Sequence, residues 1–498
     1  MNDFIKVMNN TTETENCALT NVSTFDLCLD WFFHGAALRG QDKDRIIDLF
    51  SKAFQQNQTT ALRTLFYIRD CRGGQGERNI FRTCLQWLGN HETNYIREWL
   101  LKNLNLISQF GRWNDYLCLL DTKISEDVGI YLITRLINDE NYLVKNQLLD
   151  ISLCAKWMPS LTTNTESKRY AKKLIKIAKE NRAIIDCNEE KYRKLLSKLR
   201  KAIKIVEHNL TEKDYESIDY EKIPSYAMMK YRAAFRRNDG LRYSIYTHKV
   251  MEGKAKINAK TLYPYDLVKN YMNGFGYFGN KNIDDTIEEQ WKALPDYVPD
   301  INGIVVYDTS GSMSGLPMQV STSLALYIAE RNKSKVWKNY CIPFSSRAVW
   351  KEVKGNSLLE KLQSIYTGDC SNTNLQSVFD LILGRATTFN IKPEDMPKNL
   401  IIITDMEFDN PYEDNWSKTN FKVIEEKYKQ AGYEKPNLVW WNVNSRQTQT
   451  PITKDNNGNI LLSGCSPAML TVALSGEFDP VEAMNRIINQ ERYSSILY

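Results

Sequence analysis

Residues 303–315 read GIVVYDTSGSMSG, an apolar run that delivers one carboxylate, Asp308, and then hydroxyls at Ser310 and Ser312. A second apolar run, LIIITDM at 400–406, ends in Asp405. A third oxygen source is Thr373 in the turn-rich GDCSNTNL, with Ser371 two residues away as an equally placed hydroxyl. Carboxylate, hydroxyl and water oxygens suit a hard cation, Mg²⁺ or Mn²⁺, and Mg²⁺ keeps part of its water shell, which leaves a position for an incoming oxygen. D-x-S alone is also what an Asx turn before a helix looks like. The buried strand ahead of it and the second strand-terminal aspartate are what favour the cation.

Two aspartates nearly a hundred residues apart need a scaffold to meet. From about Trp291 the chain alternates β-branched runs (IVVYD, NYCIPF, KNLIIITD, NLVWWNV) with amphipathic helices, the pattern of a mostly parallel sheet covered on both faces. We therefore place an open α/β domain at 299–498, with its ligand crevice beyond the carboxyl ends of the strands. Residues 21–298 read as helices instead. DLCLDWFFHGAAL, DRIIDLFSKAF, TALRTLFYIRD and NIFRTCLQWL step apolar residues by three and four, which predicts an α-helical repeat of HEAT-like hairpins able to close into a ring. Residues 1–20 are expected to be a flexible lead-in. RGGQGER at 72–78 lacks the preceding strand and the G-K-[ST] ending of a phosphate loop and reads as a turn between helices. FGRWNDYL at 110–117 reads as a tight helix junction with Trp113 packed inside.

Composition excludes several chemistries. Ten cysteines occur without a C-x-x-C pair and four histidines without an H-E-x-x-H, so neither a zinc site, a disulfide framework nor thiol or imidazole catalysis is expected. No run approaches the ~20 apolar residues that cross a bilayer, and the first thirty residues predict no signal peptide. A monomer without membrane contact is expected, in the cytoplasm, or in the host cytoplasm or virion if the source is viral. A Mg²⁺-dependent phosphohydrolase or nuclease would need a positioned base and more carboxylates, and only Glu407 and Asp409 lie close in sequence; binding is the expectation, not catalysis.

The net charge of +5 hides a basic segment: residues 156–260 carry 26 Lys/Arg against 13 Asp/Glu. Lys168, Arg169, Lys172, Lys173 and Lys176 stripe one predicted helix and Lys191, Lys194, Lys198 and Lys201 the next, with Arg236, Arg237 and Arg242 following. Such stripes suit a phosphate backbone, though a solvated helix face is their commonest meaning. Tyr231, Phe235, Tyr243 and Tyr246 lie among the later cations, spaced either to stack bases or to fill a core.

With these residues in hand, D-T-S-G-S after a buried strand, with Thr373 and the T-D-M at Asp405, resembles the metal-ion-dependent adhesion site of von Willebrand factor A domains. The resemblance implies that Ser310, Ser312 and Thr373 ligate the cation directly, that Asp308 and Asp405 act largely through water, and that a partner protein donates a carboxylate. TLFYIRDCRGGQGERNIFR, FGRWNDYL, AKWMPS and IPSYAMMKYRAAFRRND resemble an uncharacterised family in which a helical region precedes such a domain. That order is similar to the TROVE-module family that includes the Ro ribonucleoprotein, which implies binding of small noncoding or single-stranded RNA. The competing expectation is a metal-dependent scaffold for protein assembly, such as a virion component, with solvated lysines and no RNA.

Overall fold

Continuous β-branched runs suit strands buried on both faces, as in a parallel sheet covered by helices. That is what the computed structural model contains. It describes residues 10–15, 19–181, 187–203, 205–279, 282–298, 302–344, 348–367, 375–407 and 418–498. A short antiparallel hairpin, β1 (Thr11–Glu13) with β2 (Leu19–Asn21), precedes six further strands: β3 (Gly303–Tyr307), β4 (Tyr340–Pro343), β5 (Lys351–Glu352), β6 (Asn399–Thr404), β7 (Asn437–Asn442) and β8 (Asn459–Ser463). These six make one sheet in the order β5-β4-β3-β6-β7-β8, parallel throughout except for the edge pair β4–β5. The order reverses between β3 and β6, whose carboxyl ends carry Asp308 and Asp405.

The chain divides into two compact units. The first comprises Met1–Ile68, Gly73–Gln75 and Ile257–Leu497, and holds the sheet. The expected boundary at 298/299 therefore does not coincide with the compact units, because the first helices are used as cover for the sheet. Helix Leu27–Gly35 is buried along almost its whole length and lies against β8, where Ser463 Oγ donates to the Phe32 carbonyl at 2.7 Å. The buried Gln75 is fixed in the same place. Its Oε1 accepts the N–H groups of Cys465 and Ser466, both at 2.9 Å, so part of the RGGQGER stretch serves as a cap on the loop after β8. Helix Leu316–Arg331 covers β3, β4 and β6 with eleven buried residues.

The second unit, Arg69–Arg72, Gly76–Lys256 and Tyr498, is helical among its described residues. Helices Thr165–Glu180 and Glu189–Ala202 both pack on Ser125–Val144. Their starts are fixed by Asn164 and Asn188, whose side chains accept the N–H of Ser167 and Lys191 at 2.8 Å. Their apolar stripes, Leu174, Ile175 and Ile177 on one and Tyr192, Leu195 and Leu199 on the other, are buried as the three- and four-residue spacing predicts. Trp113 departs from expectation. It is only half-buried and stacks on Tyr116 at 5.3 Å, and it is Tyr116 that fills the interior.

Candidate metal centre and basic surface

β3 is buried at every position, and the chain leaves it through Asp308, itself buried. Asp308 has both oxygens engaged: Oδ1 accepts the Ser310 N–H at 2.8 Å and Oδ2 accepts the Thr404 hydroxyl at 2.7 Å. The first bond is the Asx turn anticipated for D-x-S; the second ties the end of β3 to the end of β6. Ser310 Oγ and Ser312 Oγ lie 3.0 Å apart, so the alternation of hydroxyls does converge on one point. Across from them Asp405 accepts the Glu407 N–H on Oδ1 at 3.3 Å, while its Oδ2 is buried with no hydrogen-bond partner. Burial and the Asp308 charge push the Asp405 carboxyl up to about 7, against the Ser312 hydroxyl and the Glu407 N–H, which act the other way. The residue between Asp405 and Glu407, Met406, holds φ at 67°, which turns the backbone sharply at the crevice.

A buried carboxylate oxygen without a donor is a costly arrangement, and a hard cation supplies what it lacks. Two carboxylates and two hydroxyls fit Mg²⁺ or Mn²⁺ by donor type. Among the described residues no group of three or more His, Cys, Asp or Glu side chains is placed to hold a metal. A hydroxyl-rich set is a different kind of site. Thr373, its neighbour Ser371, and Asp409 lie outside the described residues. Glu407, the other carboxylate near the site, is committed locally: its Oε2 accepts the Glu15 N–H at 2.9 Å and its Oε1 accepts from Gln449 at 3.0 Å.

One contributor was not anticipated from sequence. The loop around Gly274 braces the D-x-S-x-S loop: the Gly315 N–H donates to the Gly274 carbonyl at 2.7 Å, and Gln319 Nε2 donates to the Met272 carbonyl at 2.9 Å. A Cβ on Gly274 would stand 2.7 Å from Gly315 Cα, and Gly315 has φ of 98°. Both positions thus require glycine. The same loop carries Phe275 and Tyr277, 69% and 63% exposed. The repeated glycines of NGFGYFGN were the available signal.

The basic candidates divide. Arg169 makes a two-pronged pair with Asp121, both contacts at 2.8 Å; Lys173 reaches the Leu120 carbonyl; Lys198 pairs with Glu140 at 2.9 Å and Lys194 with Glu190 at 2.7 Å. Lys176 lies 3.7 Å from Glu180. Arg242 donates to the Tyr215 and Ile218 carbonyls at 2.8 and 2.7 Å. Lys168, Lys172 and Lys201 are exposed, as are Lys191, Arg236 and Arg237. The aromatics offered as base platforms are mostly interior. Phe235, Tyr243 and Tyr246 are buried around Tyr220, at ring distances of 5.1 to 5.3 Å from it, and only Tyr231 is half-exposed.

Residues 14–132 and 126–301 match the family described as Domain of unknown function (DUF2828), together more than half of the chain, and the chain belongs to that family. Residues 302–495 match a second description, Domain of unknown function (DUF7788). At the level of individual proteins, the chain is 29% identical to "Uncharacterized protein L728" of Acanthamoeba polyphaga mimivirus, over 97% of this chain and 88% of the relative. The loop around Gly274 lies in the first family segment and D-x-S-x-S in the second, so the candidate centre draws on both. Among the described residues no helix is long and apolar enough to cross a membrane.

Proposed function

We propose that the protein is a non-catalytic, Ro-like RNA-binding protein. In this reading an α/β unit of the von Willebrand factor A type holds Mg²⁺ or Mn²⁺ and engages a partner carboxylate, and a HEAT-like helical unit contacts small noncoding or single-stranded RNA. The observation that carries the metal half is the buried, unpartnered Oδ2 of Asp405 beside Asp308, Ser310 and Ser312. Ser310, Ser312, Asp308 and Asp405 would hold the cation, and the cation would supply an open position for an acidic group. The exposed Phe275 and Tyr277 offer that partner apolar contact beside the crevice.

The RNA half is favoured by Lys168, Lys172, Lys179 and Lys201, which are exposed and have no acidic partner among the described residues. With Phe235, Tyr243 and Tyr246 buried, contact would be mostly electrostatic and sequence-tolerant, so affinity should fall steeply with salt. Low-salt purification followed by sequencing of any retained nucleic acid, with a gel-shift titration in salt, tests it. RNA retained in low salt and released by ~0.3 M salt fits the proposal. Absence of RNA binding at low salt removes the RNA half. If a partner is then still captured and lost in EDTA, the scaffold reading stands in its place.

A further inference from the structure

In the helical unit the segment from Arg69 to Arg82 and the FGRWNDYL stretch meet at one carboxylate, which takes the guanidiniums of Arg69 and Arg82 and the backbone N–H of Arg112. Asp115 is buried and its oxygens are fully used: Oδ2 accepts from Arg69 Nε and Nη2 at 2.8 and 2.7 Å and from the Arg112 N–H at 2.9 Å, and Oδ1 accepts from Arg82 Nε at 2.8 Å. Arg78 sits one helical turn before Arg82, at the head of helix Asn79–Asn90, and supplies no side-chain acceptor to that helix's first turn. Among the described residues neither Arg78 nor the Arg112 guanidinium has a carboxylate partner. Arg112 lies over the Trp157 ring at 5.2 Å, which fixes its plane without neutralising it. Burial, then Arg82, Arg112 and Arg69, lower the Arg78 pKa, with Asp115 the opposing charge. With both Asp115 oxygens engaged by Arg69, Arg82 and the Arg112 N–H, the neighbouring positive charges of Arg82, Arg112 and Arg69 bear on Arg78 in a partly desolvated place. Arginine forks and the free N–H groups of a helix start are both matched to tetrahedral oxyanions.

We propose that Arg78, Arg82 and Arg112, none of them among the lysines of the striped helices or the cation-site residues, form a phosphate-binding site. Its ligand is a phosphoryl oxyanion, either a phosphodiester of an RNA backbone or a phosphomonoester. Arg69 and Asp115 are the frame beneath it, and Arg78 is the residue most available to the ligand, because it reaches solvent and is committed to no other side chain.

The test is calorimetry and thermal unfolding of the full chain with inorganic phosphate against chloride at matched ionic strength, for wild type, Arg78→Gln and Arg112→Gln. Phosphate should raise the unfolding temperature of the wild type, and either substitution should weaken its apparent affinity at least tenfold. In chloride, Arg78→Gln should unfold no earlier than wild type, since it relieves like-charge repulsion; it carries the test alone should Arg112→Gln fail to fold. Competition by a 5′-phosphorylated but not a 5′-hydroxyl oligoribonucleotide identifies a phosphomonoester ligand, and equal competition by both identifies the diester backbone. A wild type indifferent to phosphate, or a response unchanged in Arg78→Gln, overturns the proposal.

Discussion

The Thr404 hydroxyl donates to Asp308 Oδ2 at 2.7 Å, joining the last residue of β6 to the first residue after β3. Both groups are buried, so little water competes for the bond. Thr404→Val keeps the shape and removes the donor. It should cost about 1–3 kcal/mol of stability, the range for leaving a buried acceptor unsatisfied. It should also weaken any Mg²⁺-dependent rise in unfolding temperature, because Asp308 then loses its tie to the end of β6. Urea unfolding with and without Mg²⁺ reads both effects.

Gly274→Ala tests the brace beneath the crevice. Its Cβ would press on Gly315 Cα, a backbone atom that has no rotamer to escape into. Overpacking of this kind costs about 1–3 kcal/mol. Gly384→Ala, whose Cβ meets open space in the middle of helix Leu375–Thr388, should be neutral or slightly stabilising in the same unfolding assay.

In the helical unit, Asp115→Asn should be severe. Arg69 is almost wholly buried, and its carboxylate partner would become a neutral amide. Breaking one side of a buried pair costs about 3–5 kcal/mol. The loss should appear as early melting by far-UV circular dichroism, and a cost below about 1 kcal/mol would mean that Arg69 finds another partner.

His34 gives the fold a definite pH dependence. Ser445 Oγ donates to the Gln447 carbonyl at 2.9 Å and lies 2.7 Å from His34 Nδ1, so the ring is the donor there and Nε2 carries the lone pair. Nε2 is buried without a hydrogen-bond partner. Burial, then the charge of Arg45, push the imidazole down to about 3 from 6.5, and the Thr448 carbonyl offsets only part of this. The unfolded chain therefore binds a proton below pH 6.5 that the folded chain refuses. Stability is full above pH 6.5 and falls by up to about 1.4 kcal/mol per pH unit as pH drops toward 3. Denaturant unfolding of wild type and His34→Gln between pH 4.5 and 7.5 checks this; the variant should show the shallower dependence on pH.

What the sequence displays and what it hides follows from range. IVVYD and LIIITD announce buried parallel strands because β-branched continuity is a local property, and their terminal aspartates follow at once. The meeting of Asp308 with Asp405 was legible for the same reason, given that open sheets place strand ends together. Helical spacing, by contrast, says which face of Leu27–Gly35 is buried but not that β8 is what covers it. Lysine stripes look free because their partners are distant, as Lys198 and Glu140 are, 58 residues apart. Tyr243 and Tyr246 have a spacing that serves base stacking and core packing alike, and only the presence of Tyr220 between them decides for the core.

The central claim is that the crevice between β3 and β6 is a cation site. Calorimetric titration of the full chain, stripped with EDTA and returned to buffer, with Mg²⁺ and then Mn²⁺ addresses it directly, alongside Asp405→Asn and the double variant Ser310→Ala/Ser312→Ala. Saturable binding of one cation, lost in both variants while their far-UV spectra match wild type, is the predicted result. No binding of either cation at millimolar concentration, or binding that survives both variants, would contradict it.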